Sequence, residues 1–341
     1  ERNALISIYN QTDGANWSQS WDLEKDPYYW YGVKTSNGMV TELKLNGNLL
    51  KGNFPTSVFS LTNLKKLDLS SNKLYGEIPN LSSLSNLTYL NLSNNDFTGD
   101  VWSSYSNLPN LEEIYVGHNN CNISNTDFSG FSGLKSLDIS KLNLTEIPAS
   151  LGSLQKLSSL NVSNNAIVSF SNLSSLNQLQ ELNLANNNLN KVPSEIINFI
   201  SLKSLDLSNN IITDFSSLSN LINLEWLSLE NNSLQNIPNQ VSNLQKLIHL
   251  NLGRNKINGS TSILGTLNHL QQLWLNHNKL SGNIPQDLLA LPNLMCLSLQ
   301  SNELEGTIPN NIPQICNISN NRFSKTQIEN YLNTNSNNTD F

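Results

Sequence analysis

A nine-residue pattern, L-x-x-L-x-L-x-x-N, recurs along most of this 341-residue chain. Its copies follow one another at intervals of 22 to 24 residues, apart from a last interval of 19. A period of this kind constrains the fold strongly, because every copy must form the same supersecondary unit and stack on the next. The thirteen copies begin at Val40, Leu64, Leu87, Leu111, Leu134, Leu157, Leu179, Leu202, Leu224, Leu247, Leu270, Leu294 and Pro313.

The leucine alternation within the pattern predicts one short strand in each copy, with an apolar face turned inward. One such strand cannot bury its leucines alone, whereas stacked copies form a continuous core. The asparagine that closes twelve copies is expected to satisfy backbone groups of the turn from inside the stack. In the fifth copy Leu142 replaces it, with Asn143 one place late, and we expect a local irregularity there.

The pattern resembles the leucine-rich repeat and covers roughly residues 40–323. Copies that continue as KLYGEIP (73–79) or KLSGNIP (279–285) are similar to the plant-type subclass, whereas IITDFSSLSNLINL (211–224) is shorter and lacks the Gly and Pro. The resemblance implies an α/β solenoid, a horseshoe or spiral of about 13 repeats with a parallel concave β-sheet.

Residues 1–39 resemble the helical cap that precedes such repeats in plant receptor ectodomains and in secreted bacterial and protist proteins. Those caps usually carry a disulfide, but Tyr28 and Thr35 occupy the two cysteine positions here. The difference favours a bacterial secreted or surface protein over a plant one. The large side chains of the cap are expected to cover the open end of the core. They are Trp17, Trp21 and Trp30.

The segment SKTQIENYL (324–332) predicts a short helix that closes the other end, with Ile328, Tyr331 and Leu332 at helical spacing. The residues beyond it have nothing to bury. The predicted organisation is a cap at 1–39, a repeat array at 40–323, a capping helix at 324–333 and a tail or linker at 334–341.

Charge and composition exclude several classes of partner. The formal net charge is −7 and the pI is near 5.1, which argue against a nucleic acid or an anionic membrane surface. No run of about 20 apolar residues is present, so no direct membrane insertion is predicted. The family resemblance implies a secreted or cell-surface location.

Catalytic and metal-binding residues do not converge in the predicted register, so we predict neither an enzyme nor a metal or cofactor site. His249 and His277 fall on adjacent strands but five places apart, which is roughly 16 Å at about 3.3 Å per residue. Cys121 and Cys316 are expected in the core and Cys296 on the outer face, so a 296–316 disulfide is disfavoured.

The third, fifth and seventh places of the pattern are expected to point onto the concave sheet. They are mostly Ser, Asn and Asp in the middle copies, whereas the ninth to eleventh copies add two tryptophans that we expect to be exposed about 12 Å apart. Alternatively, Trp226 and His249 merely pack on each other. The candidate ligand-binding residues are Trp226, Glu230, His249, Asn251, Arg254, Gln272, Trp274, Asn276 and His277.

A second, smaller candidate cluster falls on the third and fourth copies and is also expected to face the concave side. It comprises Tyr89, Glu113, Tyr115 and His118.

The two clusters and the family resemblance predict a non-catalytic recognition or adhesion module that binds a protein or glycan. The alternative is a structural or ice-interacting solenoid, whose working surface would be the regular Asn/Ser/Asp ladder.

Overall fold

The chain is an α/β solenoid of stacked repeats, with large parallel sheets and few helices. A computed structural model describes residues 1–100, 108–124, 126–169, 173–313 and 315–334. The chain divides into two compact units, Glu1–Leu179 and Gln180–Phe341. In both units each copy of the pattern supplies one strand to a parallel sheet, as the alternation of leucines predicted.

The first unit begins with helix α1 (Arg2–Gln11), followed by a hairpin and the first six repeats. Its strands are β1 (Val33–Ser36), β2 (Met39–Lys44), β3 (Lys51–Asn53), β4 (Lys66–Asp68), β5 (Lys73–Glu77), β6 (Tyr89–Asn91), β7 (Asp96–Asp100), β8 (Glu113–Tyr115), β9 (Asn120–Asn122), β10 (Ser136–Asp138) and β11 (Ser159–Asn161). The main sheet has the order β1-β2-β4-β6-β8-β10-β11, in which only β1 and β2 are antiparallel. A second parallel sheet, β3-β5-β7-β9, lies on the outer arcs.

The second unit contains the remaining seven repeats and closes with a helix. Its elements are β12 (Glu181–Asn183), β13 (Ser204–Asp206), β14 (Trp226–Ser228), β15 (His249–Asn251), β16 (Gln272–Trp274), β17 (Ser281–Gly282), α2 (Gln286–Leu289), β18 (Cys296–Ser298), β19 (Glu303–Leu304), β20 (Ile315–Asn317) and α3 (Lys325–Thr334). The order β12-β13-β14-β15-β16-β18-β20 is parallel throughout. β17 and β19 pair separately on the outer side.

The outer arcs differ between copies, as the mixed repeat types predicted. Most of the strands on the outer arcs come from segments with a glycine in the left-handed region, such as Gly76 (φ 78°) and Gly99 (φ 82°). Most of the other outer arcs form a single 3₁₀ turn. The 3₁₀ helices of the described residues are Gly14–Asn16, Pro27–Tyr29, Thr56–Ser60, Ala149–Ser153, Ser194–Asn198, Ser216–Asn220, Asn239–Asn243 and Ser262–Thr266.

The inward leucines form the core of each unit. Leu205, Leu227 and Leu250 pair in register across β13, β14 and β15, and all three are fully buried. Burying one such side chain stabilises the fold by about 1.5–3 kcal/mol. Because the register repeats at every step, the same contact is made along the whole stack of a unit.

The closing asparagines bond to the backbone from inside the stack, as predicted. Asn210 is buried, and its Nδ2 donates to the carbonyls of Leu184 (3.0 Å) and Leu207 (3.1 Å). Its Oδ1 accepts the N–H of Leu189 (3.0 Å). Each such residue therefore links two consecutive repeats through groups that water cannot reach.

The fifth copy is locally irregular, as its missing asparagine predicted. Asn143 (φ 58°) adopts the left-handed conformation in addition to Lys141 (φ 50°), whose place in the pattern is left-handed in the other copies as well. The next copy's Asn165 accepts the N–H groups of both Leu142 (2.9 Å) and Leu144 (3.0 Å). The buried Leu142 side chain takes the place of the missing asparagine.

The N-terminal tryptophans are buried, as expected of a cap. Trp17, Trp21 and Trp30 are at most 5% exposed. Each indole N–H donates to a backbone carbonyl within the cap, over 2.8 to 2.9 Å. These three side chains are therefore buried with their polar atoms satisfied.

The C-terminal helix α3 closes the last repeat, one residue later at each end than predicted. Ser324 Oγ accepts the N–H of Gln327, and the Gln327 side chain accepts the N–H of Ser324, so the helix start is capped reciprocally. Tyr331 is buried, but Leu332 is exposed, so its predicted packing on the core is wrong. The predicted tail, apart from residue 334, lies outside the described residues.

Candidate functional site

Strand register places the tryptophans of the second unit on the concave sheet, in different rows. Trp226 lies beside His249, which lies beside Gln272, in the row of third places. Trp274 lies beside Asn251 in the row of fifth places. His249 and Asn251 therefore occupy the strand between the two indoles.

Both concave tryptophans are half-buried, and so less exposed than the sequence led us to expect. Their strand neighbours Leu227 and Leu273 are fully buried, so the indoles point away from the core. Within the described part of the chain, neither indole N–H has a hydrogen-bond partner. The tryptophans of the cap all have one, which makes the concave pair chemically different.

A charged network borders Trp274. The Glu230 carboxylate pairs with Arg254 (Nε to Oε1, 3.2 Å) and accepts a hydrogen bond from Asn251 Nδ2 (2.9 Å). The Asn251 Oδ1 accepts the N–H of Gly253 (2.9 Å). Asn251 is therefore held from both ends of its amide, with its position fixed beside the indole.

Gly253 allows the amides of neighbouring strands to approach each other. A Cβ at this position would lie 2.8 Å from Asn276 Oδ1 and 3.1 Å from Asn251 Oδ1. The Asn276 amide in turn contacts His277 Nδ1 (3.1 Å). A larger residue at 253 would therefore displace the two amides.

Arg254 and His277 lie in the turns after β15 and β16, one place beyond the outward-facing seventh places. Both side chains are exposed, and both residues adopt the left-handed backbone conformation, with φ values of 55° and 54°. This conformation costs most side chains roughly 1–2 kcal/mol, and asparagine is among the residues other than glycine that tolerate it best. Other copies do place asparagine there. Those residues are Asn94, Asn164, Asn186, Asn209, Asn231 and Asn320.

The second cluster, in the first unit, is more tightly bonded within itself. The rings of Tyr89 and Tyr115 are half-buried and lie 5.6 Å apart between centroids. The Tyr115 hydroxyl donates to Glu113 (2.8 Å), and the Tyr89 hydroxyl lies 3.4 Å from Asp68 Oδ2. Burial, with a smaller contribution from nearby carboxylates, raises the pKa of both phenols, and that of Tyr115 reaches about 12. Both hydroxyls are therefore neutral donors near pH 7.

His118 does not lie in the sheet with these tyrosines. It occupies the turn after β8, is half-buried, and adopts the left-handed conformation (φ 59°). Its expected position on the concave strand is therefore wrong.

Sequence reasoning missed two residues of this cluster. Lys66 Nζ lies 6.0 Å from the centroid of the Tyr89 ring, within range of a cation–π contact. Asp68, on the same strand, is buried. Lys66 and Asp68 occupy the third and fifth places of the second copy. These places point onto the concave sheet, so the strand register would have been enough to identify both residues as members of the cluster.

The Asn/Asp ladder of the fifth places bonds to its own backbone. In each of these copies the side-chain Oδ1 accepts the N–H two residues later, over 2.8 to 3.1 Å. This Asx turn ends each strand and sets up the left-handed residue that follows. The residues are Asp68, Asn91, Asp138, Asn161, Asn183, Asp206, Asn251 and Asn317.

Among the described residues, no group of three or more His, Cys, Asp or Glu side chains could hold a metal ion. No helix of this part of the chain is long and apolar enough to cross a membrane. Cys121 and Cys316 are buried free thiols, as predicted, and burial raises the pKa of each to about 12. Cys296 is half-buried and pairs in register with Ile315, as predicted.

Family models of leucine-rich repeats match the chain along much of its length. The model described as leucine rich repeat matches residues 132–189 and 177–234. A two-copy model matches residues 62–107, and a single-repeat model matches 269–291 and 293–315. The chain is a leucine-rich repeat protein.

Solved structures with similar leucine-rich repeats come from bacteria and from plant receptors. A leucine-rich repeat protein of Leptospira interrogans is 25% identical, with a TM-score of 0.70, over 83% of this chain and 86% of that one. An internalin, InlF, of Listeria monocytogenes is 28% identical (TM-score 0.61; 88% and 89%). The structure titled PEPR1-AtPEP1 is 25% identical (TM-score 0.63; 94% and 52%).

Curated relatives match shorter segments. The probable inactive receptor kinase RLK902 of Arabidopsis thaliana is 36% identical over 81 residues, 23% of this chain and 12% of its own length. The calmodulin-binding receptor kinase CaMRLK of the same plant is 33% identical over 139 residues, 39% and 21%. The chain therefore corresponds to a small part of each of these proteins.

Proposed function

We propose that this leucine-rich repeat chain is a non-catalytic extracellular recognition or adhesion module. Its ligand, a protein or a glycan, would bind the concave face of the second unit around Trp226 and Trp274. The observation that carries the proposal is the pair of half-buried indoles whose N–H groups have no partner within the described residues. The exposed apolar part of such a ring is unfavourable in water until a ligand covers it, and the N–H can then donate a hydrogen bond to that ligand.

The surroundings of the indoles suit a ligand that presents both apolar and hydrogen-bonding groups. His249, Gln272 and Asn251 lie between or beside the rings and offer planar donors and acceptors. The exposed side chains of the turn residues Arg254 and His277 border the same site and add polar groups to it. Sugar rings and extended peptides both meet these requirements.

The structural or ice-interacting alternative has less support. Its working surface would be the Asn/Asp ladder, but one oxygen of every such side chain is occupied by the backbone of its own turn. The ladder therefore has a sufficient structural reason within each repeat.

An extracellular location is proposed because the similar structures include an internalin and the curated relatives include receptor kinases. A bacterial source is proposed because Tyr28 and Thr35 stand where caps of plant type carry cysteines. Identification of the complete gene and secretion of the native protein would test both points.

The binding proposal can be tested with a glycan array and a display library of peptides, followed by calorimetry on the ligands recovered. Trp226→Ala and Trp274→Ala are each expected to weaken binding by 2 kcal/mol or more if they are hot spots, about 30-fold. Trp226→Phe keeps a ring but removes the N–H, so it measures the hydrogen bond separately. The melting temperature should stay near that of the wild type, because both indoles lie outside the core.

Ser159→Ala and Ser204→Ala change the same outward place on other strands and should leave affinity unaltered. Normal binding by both tryptophan variants would refute the site. If all concave substitutions were silent, recognition would have to lie elsewhere, for example at the groove lined by Asp214, Phe215 and Asn236.

A further inference from the structure

The tyrosine cluster of the first unit carries an excess of negative charge. Three carboxylates, Asp68, Glu113 and Asp138, lie within four consecutive strands of the concave sheet, on β4, β8 and β10. In the part of the chain that the structure describes, none of them has an ion-pair partner within 4.0 Å. Lys66 lies over Tyr89, and Lys44, beside Asp68 on the neighbouring strand, forms an ion pair with Glu42. The negative charges of Glu113 and Asp138 are therefore not offset by an ion pair with any described residue.

The carboxylates frame an aromatic surface. Tyr115 has Asp138 directly beside it on β10, and Glu113 lies two residues before it on the same face of β8. Tyr89 lies beside Glu113 on the other side, and its ring is 5.6 Å from that of Tyr115. The half-buried ring of Tyr115 thus lies between two carboxylates and next to a second ring.

A cation over an aromatic ring is attracted to the π face, and adjacent carboxylates add to the attraction. Lys66 demonstrates this preference on the Tyr89 ring. The Glu113 and Asp138 carboxylates next to Tyr115 have no such cation from the described residues of the chain itself.

We infer that Tyr115, Tyr89, Glu113 and Asp138 form a subsite for a cationic side chain, arginine or lysine, of a protein partner. This subsite is independent of the tryptophan site, since its residues belong to the other unit. The only link to the proposed function is that both sites would bind a protein ligand. An arginine fits the arrangement well, because its planar guanidinium stacks on a phenol while its edges donate to carboxylates.

A fluorescein-labelled nine-residue peptide of glycine and serine with three arginines is a suitable probe. The same peptide with citrulline has nearly the same shape without the charge. Fluorescence anisotropy at 20 mM and 150 mM salt should show tighter binding of the arginine peptide, with the difference reduced at the higher salt. Equal affinities for the two peptides, or no binding of either, would overturn the inference.

The decisive variant is Asp138→Asn, because asparagine keeps the Asx turn, as Asn91 and Asn161 do in other copies. We expect it to weaken binding of the arginine peptide by about threefold to tenfold. Asp206→Asn, at the same place in the second unit, changes the net charge by the same amount and should have no effect. Equal losses in the two variants would mean that overall charge binds the peptide, and the subsite would be refuted.

Two further substitutions separate charge from ring. Glu113→Gln can still accept the Tyr115 hydroxyl but lacks the charge, so it should also weaken binding of the arginine peptide. Tyr115→Leu should weaken it, whereas Tyr115→Phe should keep it because the ring remains. Trp226→Ala should leave it unchanged. Loss of binding in Trp226→Ala with full binding in Asp138→Asn would place the peptide at the tryptophans and contradict the inference.

Discussion

Replacing Asn210 with alanine tests how the inner asparagines hold the repeats together. The amide of this buried side chain makes four hydrogen bonds with the backbone: three to carbonyls and one from the N–H of Leu189. Alanine removes all four at once. The effect on stability depends on which of the backbone groups can find another partner.

The three carbonyls each keep another donor. Leu184 O also accepts from Asn187 (3.1 Å), and Leu207 O also accepts from Asn232 (3.0 Å). Ser208 O accepts the N–H of Asn186 (2.9 Å). The N–H of Leu189 has no second acceptor among the described residues. The substitution therefore leaves one buried N–H unpaired, at about 1–3 kcal/mol, and adds a small cavity, giving about 2–4 kcal/mol in total.

Urea denaturation followed by circular dichroism gives the free energy of unfolding for comparison. Leu207→Ala, which empties a fully buried position on the same repeat, should lower it by about 2–5 kcal/mol. The outward Ser204→Ala should leave it within about 0.5 kcal/mol of the wild type. If Asn210→Ala unfolds like Ser204→Ala, the inward direction of the asparagines is wrong.

Asn210→Asp sharpens the test because it is nearly isosteric. One carboxylate oxygen can still accept from Leu189, but the other faces carbonyl oxygens without a proton to donate. The buried charge raises the folded-state pKa above the unfolded value of about 3.9, so stability is retained below that pH and lost as pH rises through the folded pKa. At pH 7 this variant should be less stable than Asn210→Ala, and at low pH it should be the more stable of the two. If the order of the two stabilities does not reverse at low pH, the assigned hydrogen bonds of Asn210 are contradicted.

Two other predictions concern the left-handed turns and the thiols. His277→Asn should raise the free energy of unfolding by about 0.5–1 kcal/mol, since asparagine suits φ 54°, while weakening ligand binding; a loss of stability would refute the assigned strain. In the native protein only Cys296 should react with Ellman's reagent, whereas three thiols should react in urea, and dithiothreitol should not change the melting temperature. Because burial raises the pKa of Cys121 and Cys316 to about 12 from an unfolded value of about 8.5, unfolding releases protons between these values, and stability should fall as pH rises through that range.

The amino-acid sequence alone determined the strand register of this protein. A fixed interval combined with the leucine alternation leaves one way to bury the leucines, so the inward Leu207, the inward Asn210 and the outward Trp226 all follow from counting. Local irregularity at Leu142 follows as well, because leucine lacks the side-chain amide that bonds to the backbone in the other copies.

The tertiary structure decided what each outward residue contacts. Partners such as Glu230 and Arg254 are more than 20 residues apart in sequence, and their contact depends on how adjacent strands align and how the turns bend. The half-burial of the two concave indoles, the position of His118 in a turn, and Lys66 over Tyr89 have the same origin. Counting along a strand gives the direction of a side chain, whereas its burial and its bonds depend on neighbouring repeats that only folding brings together.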